Sequence, residues 1–237
     1  APSGRCADFA KPAFPGQLVA DEPVESGMAP LPRPGRDGEA VVRKCISPKA
    51  ARNAFSSAGI DSDWLPEHVC RYGIGPGGPW LLLRFPPGRY VVPLADPIRL
   101  SGGGAPHTLL AVPMPGLLFL GYGTRYYVWA YKLWKCAATK LFKAPLANVY
   151  PDGGICFGNV HPRVAHGNTM TSVWRLFWDS NFSDHLANGK SNAYPDNILP
   201  FLAKLHSTEA QDYPLDDLEP AHLSIAAIIR QLMESGK

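Results

Sequence analysis

Between residues 69 and 131 the chain alternates short apolar, β-branched and aromatic runs with corner-forming residues. The runs are Val69–Tyr72, Trp80–Phe85, Tyr90–Leu94, Leu117–Leu120 and Tyr126–Tyr131. Gly77-Gly78, Pro86-Pro87-Gly88 and Tyr122-Gly123-Thr124 separate them, so the segment predicts an antiparallel β-meander. Asp96 to Pro115, with Ser101-Gly102-Gly103-Gly104 inside it, predicts a longer loop. Upstream, Val41–Ile46 predicts a short strand. Ser47-Pro48 supply an N-cap and a first helical residue for a helix over 48–58, closed by Gly59.

After residue 156 the period changes. Val173, Trp174, Leu176 and Phe177 recur at helical spacing within Thr169–Trp178, and Leu199, Leu202 and Leu205 share one face of Asp196–Leu205. Pro220 predicts the first position of a final helix whose apolar stripe is Leu223, Ala226, Ala227, Ile229 and Leu232. Strands followed by helices indicate an α+β fold. Residues 1–40 hold seven prolines and five glycines with little periodicity and predict an extended N-terminal arm. Residues 41–237 then form one domain with a C-terminal helical extension.

Composition removes several function classes. A net charge of +3 without a run of five like charges gives no footprint for nucleic acid. No apolar stretch approaches the roughly 18 residues of a membrane-spanning helix; Gly116–Leu120 is too short, so no membrane partner is expected. The Pro-rich start lacks a basic region followed by an apolar one, and a cytoplasmic location is expected. Cysteines stand at 6, 45, 70, 136 and 156, odd in number and without a close pair, so neither a disulfide framework nor a zinc knuckle is indicated. His161 and His166 follow Cys156, but a catalytic zinc needs three protein ligands, and both read as loop residues. Gly102-Gly103-Gly104 has no flanking Lys-Ser/Thr and is weaker than a phosphate loop. No metal or other cofactor is expected.

One segment carries chemistry. Asn148 to Cys156 reads NVYPDGGIC. Pro151 presets φ at the first corner of a tight turn, and Asp152-Gly153-Gly154 supply its polar and positive-φ positions. This places Cys156 on an ordered surface loop with Asn148 able to fold back toward it. Plainer uses exist for each residue: Cys156 as a small hydrophobe under a loop, Asn148 capping its own turn, Tyr150 packing the loop, and Asp152 as a turn residue. Trp174, Phe177 and Trp178 read as core.

NVYPDGGIC resembles the active-site segment of ubiquitin-conjugating enzymes, in which the Asn of a His-Pro-Asn motif lies eight positions before the cysteine. Asn148, Val149, Tyr150, Gly153 and Ile155 match in register, whereas Leu146 and Ala147 stand where the family has His and Pro. FKAPLANVYPDGGICFGN followed by SVWRLFWDSNFSDH resembles the bacterial branch that includes PRTRC system protein B and the conjugating enzymes of Bil-type antiphage operons. The detailed likeness covers about residues 140–187, and a looser one about 45–206.

The resemblance implies the ubiquitin-conjugating-enzyme-like fold and a thioester carried on Cys156. It implies Asn148 as oxyanion donor or as the residue holding the loop, with Tyr150, Asp152 and Gly153 in support and Asp179 or Asp184 as the acidic residue. It further implies a ubiquitin-like protein and a ThiF-like activating enzyme as partners, with a JAB-type deconjugating peptidase in the same system. ATP then belongs to the activating partner. Two other readings stay open: a non-catalytic module that binds a ubiquitin-like protein, and a cysteine hydrolase pairing Cys156 with His161, His166 or His185. Against the hydrolase, Phe157-Gly158-Asn159 does not resemble a helix start that would activate the thiol.

Overall fold

A computed structural model describes residues 65–99 and 106–234, all within the unit Asp61–Lys237. The predicted arm, the strand over 41–46, the helix over 48–58 and the triple glycine lie outside the described residues.

Eight strands run in chain order: β1 Val69–Gly75, β2 Gly78–Phe85, β3 Gly88–Ile98, β4 His107–Met114, β5 Gly116–Tyr122, β6 Arg125–Tyr131, β7 Lys140–Lys143 and β8 Pro220–Ser224. The helices are α1 Gly167–Trp178, α2 Leu199–Ser207 and α3 Ile225–Glu234. Six strands form one antiparallel sheet in the order β1-β2-β5-β6-β7-β8, and β3-β4 form a separate ribbon. This is a mixed α+β architecture compatible with the ubiquitin-conjugating type of fold.

Strand β5 reads GLLFLGY and is buried at every position, because both faces of the sheet are covered. Side chains alternate across a strand, so its odd and even residues enter different cores. Leu117 and Phe119 join Leu81, Leu83 and Val128 on the face packed by α1 and the β3-β4 ribbon. Leu118 and Leu120 join Trp80, Leu82 and Trp129 on the face covered by α3 through Ile225, Ile228, Ile229 and Leu232. Each such side chain contributes about 1.5–3 kcal/mol by leaving water, which fixes the sheet between the two helical layers.

Three expectations are corrected. The segment 96–115 is not simply a loop: β3 extends to Ile98, and His107–Met114 form β4, with Leu110, Val112 and Met114 turned inward. Pro93 and Pro113 suggest a break, yet the two-stranded ribbon leaves Pro113 an outer edge where a missing N–H costs little, and at Pro93 the outer edge uses the carbonyl, which accepts the Phe182 N–H at 2.8 Å. The meander is therefore interrupted, and β2 pairs with β5 rather than with β3. Pro220 opens β8 instead of the final helix. Leu141 of β7 pairs with Leu223, and Ser224 caps α3 by accepting the Ala227 N–H at 3.3 Å.

Candidate functional site

The free edge of β6 is shared by two segments. Its far end pairs with β7 at Trp129↔Lys143 and Ala130↔Phe142. Its near end receives Asn148–Cys156, which folds as a tight hairpin. The Val128 N–H donates to the Gly153 carbonyl at 2.8 Å, and the Ile155 N–H donates to the Tyr126 carbonyl at 2.8 Å. Between β7 and the hairpin, Ala144, Leu146 and Ala147 are fully buried, so the expected His-Pro positions are here part of the apolar core.

Within the hairpin, the Tyr150 N–H donates to the Gly154 carbonyl at 2.7 Å and the Cys156 N–H donates to the Asn148 carbonyl at 2.8 Å. Val149 and Ile155 face each other across an antiparallel bridge. The turn uses its sequence as the residue types demand. Asp152 accepts the Gly154 N–H on Oδ1 at 2.9 Å, and its carbonyl takes the Trp129 indole N–H at 3.1 Å. Gly153 sits at φ +94°, and a Cβ there would lie 2.4 Å from Trp129 Nε1, so the hairpin reaches β6 only through a glycine.

Asn148 is anchored rather than free. Its backbone is left-handed at φ +56°, a conformation that Asn tolerates better than most residues. Its Nδ2 donates to the Asn181 carbonyl at 3.0 Å and its N–H to the His185 carbonyl at 3.1 Å. Both acceptors lie on the turn after α1, so Asp184 lies on the turn whose carbonyls hold Asn148, whereas Asp179 ends α1. Both aspartates are exposed.

Alternation along the hairpin puts Tyr150 and Cys156 on one face. Tyr150 is 45% exposed, and its hydroxyl stands close enough to the Cys156 sulfur to interact with it electrostatically. That proximity, and the sulfur's charge when ionised, hold the phenol above its ordinary range. Cys156 is partly exposed and Phe157 packs edge-on to Tyr126 and Phe177. A turn, not a helix, follows it: α1 begins only at Gly167, where His166 is the N-cap and forms a capping box with Thr169. His161 and His185 are exposed.

A residue that the sequence reading passed over lies beneath the hairpin. Lys190 is 1% exposed, and its Nζ donates to the carbonyls of Val149 at 2.7 Å and Tyr150 at 3.3 Å. Burial, and after it the nearby Lys143, lower its pKa to about 8 against an opposing pull from Asp152. In sequence, Lys190 falls in the polar stretch Asn188-Gly189-Lys190-Ser191-Asn192, which carries every mark of a solvated loop. Among the described residues, no group of three or more His, Cys, Asp or Glu side chains is arranged to hold a metal ion. No helix among them is long and apolar enough to cross a membrane.

A family described as prokaryotic E2 family D matches residues 44–221, well over half of the chain and all of the hairpin site. The chain belongs to prokaryotic E2 family D. Membership makes it a relative of the ubiquitin-conjugating carriers, whose general partners are a ubiquitin-like protein and its activating enzyme. Neither the curated proteins nor the solved structures compared with the chain match it.

Proposed function

We propose that this protein accepts a ubiquitin-like protein from a ThiF-like activating enzyme as a thioester on Cys156 and passes it to an amine on a target. The observation that carries this reading is the hairpin itself. It presents one partly exposed thiol beside an exposed tyrosine hydroxyl, on a loop pinned by Asn148 and by β6.

In charging, the Cys156 thiolate attacks the thioester carbonyl of the activating enzyme. A carbon–sulfur bond forms, the tetrahedral oxyanion collapses, and the activating enzyme's thiolate leaves. In discharge, an amine attacks the new thioester, loses its proton to a base, and expels the Cys156 thiolate. A hydroxyl donor at the sulfur stabilises that thiolate as it enters and as it leaves, a role open to Tyr150 and closed to a phenolate. With its Nδ2 bonded to Asn181, Asn148 acts by holding the loop. Of Asp179 and Asp184, we assign the orientation of the incoming amine to Asp184, whose turn supplies the carbonyls bonded to Asn148.

A hydrolase would pair the thiol with an imidazole. Here the side chain beside the sulfur is a phenol, and His166 is occupied as a helix cap. The bacterial resemblance extends the reading to a conjugation system of the PRTRC or Bil antiphage kind, with a JAB-type peptidase as the deconjugating member.

The test is reconstitution with a ubiquitin-like protein and a ThiF-like activating enzyme from the same organism, plus ATP, on a non-reducing gel. The expected product is a thiol-sensitive adduct. An ATP-independent cleavage of a preformed conjugate would instead establish the hydrolase.

A further inference from the structure

A lysine enclosed by protein costs several kcal/mol in lost hydration and is kept only where its N–H groups find acceptors. Lys190 has no carboxylate salt-bridge partner among the described residues. Its ammonium points at two main-chain carbonyls of the hairpin, Val149 at 2.7 Å and Tyr150 at 3.3 Å. The Val149 side chain is fully buried, so its carbonyl has a poor supply of water.

The chain around Lys190 is fixed from behind. Asp217, 8% exposed, accepts the Ser191 hydroxyl and the Ala193 N–H on Oδ1, both at 2.8 Å. Its Oδ2 takes the Tyr213 hydroxyl at 3.1 Å, and burial next to this carboxylate pushes the Tyr213 phenol far up. On the near side, Lys143 of β7 donates to the Gly189 carbonyl at 3.1 Å. Hydrogen bonds thus tie Tyr213 to Asp217 and Asp217 to Ser191, the chain neighbour of Lys190, and Lys190 in turn holds the carbonyls of Val149 and Tyr150.

We propose that Lys190 is a positioning residue of the Cys156 site: its ammonium, on a segment anchored by Asp217, clamps the Val149 and Tyr150 carbonyls and so fixes the hairpin strand that pairs with the Cys156 segment and holds Tyr150 beside it. Lys190 itself does not touch the reacting atoms. It rests on the reading of Cys156 as the carrier nucleophile. The ionisable groups acting on Lys190 are Lys143 from β7 and Asp152 from the hairpin turn, with opposite effects on its charge.

The test uses the full chain and needs no partner protein. The rate of Cys156 alkylation by iodoacetamide is followed by peptide mass spectrometry from pH 6.5 to 9.5 in wild type, Lys190→Met and Lys190→Arg, with thermal melting as the control for folding. Misplacing a catalytic group by about 1 Å costs on the order of 100-fold. In Lys190→Met, alkylation at pH 7 should fall by roughly 10-fold or more, with little change in melting temperature, and Lys190→Arg should recover most of it. The wild-type advantage over Lys190→Met should shrink as pH rises past about 8, where the ammonium becomes an amine. A Lys190→Met protein that reacts like wild type at every pH would overturn the proposal. So would a loss of reactivity that is independent of pH, even if Lys190→Arg does not fold. Failure of the carrier reading is distinguished separately, by the absence of a Cys156 thioester in wild type.

Discussion

The main-chain N–H of Cys156 donates to the carbonyl of Asn148 at 2.8 Å, and this bond closes the base of the hairpin that carries the thiol. The eight-residue separation is thus a register: two strand ends facing each other, with a Pro-Asp-Gly-Gly turn between them. Because Cys156 spends its own N–H on Asn148, that amide is not free for an oxyanion.

Replacing Asn148 by Ala removes the Nδ2 bond to Asn181 and puts a residue with poor left-handed tolerance at φ +56°. Loss of the bond and the strain together are expected to destabilise the protein by about 1–3 kcal/mol, read as a shift in the urea midpoint. Charging and discharge should slow by similar factors, as for a residue that holds the loop, measured by single-turnover gels. Discharge slowed much more than charging would instead assign Asn148 a direct part in the transition state.

Gly153→Ala is expected to be the most damaging small substitution in the hairpin. The added Cβ meets the Trp129 indole at 2.4 Å in a backbone conformation that alanine avoids. A loss of about 2–4 kcal/mol follows from strain and overpacking, and the Trp129 fluorescence should change as its bond to the Asp152 carbonyl breaks. Gly158, at φ +59° with open space around a Cβ, provides the comparison in which strain acts without a clash.

Tyr150→Phe removes the hydroxyl at the Cys156 sulfur while keeping the ring. The ring is exposed, so the melting temperature should not move by more than a degree or so. Discharge is expected to drop by about 10-fold, the scale of one partly solvated donor to a developing charge. An unchanged discharge rate would leave Tyr150 as a packing residue of the loop.

Lys190 also predicts a dependence of stability on pH. Its folded-state pKa of about 8 lies below the ordinary 10.5, so between these values the unfolded chain binds more protons than the folded one. Stability must therefore rise with pH across that window, by about 2 kcal/mol from neutrality to pH 9.5. Lys190→Met should lack this rise. Urea denaturation of the two proteins at pH 7 and 9.5 measures it, and their difference cancels the opposite contribution of Tyr213, whose raised pKa costs stability above pH 10.

The elements most legible in the sequence were those whose local pattern and tertiary role coincide. Strands β1, β2, β5 and β6 lie between recognisable turns, and α1 shows its buried stripe of Met170, Val173, Trp174 and Phe177. The exceptions arise where a partner elsewhere in the fold overrides local signals. Pro113 belongs to a strand because a two-stranded ribbon has a free edge, and Pro220 begins a strand because β7 lacks another neighbour. The hairpin turn was readable for the same reason as the strands: Pro151, Asp152 and Gly153 encode it locally. Lys190 was not, since a buried lysine 34 residues beyond the cysteine looks like any solvated one until the fold covers it. The roles of Asn181 and His185 are equally silent, because they act through carbonyls that every residue possesses.

The most direct measurement is a charging reaction with ATP, a ThiF-like activating enzyme and its ubiquitin-like protein from the same organism, resolved on non-reducing and reducing gels. Wild type should give an adduct that thiols dissolve. Cys156→Ala should give none, and Cys156→Ser should give one that resists thiols, because serine forms the more stable ester. An adduct that persists in Cys156→Ala, or no adduct with active partners, would contradict Cys156 as the carrier.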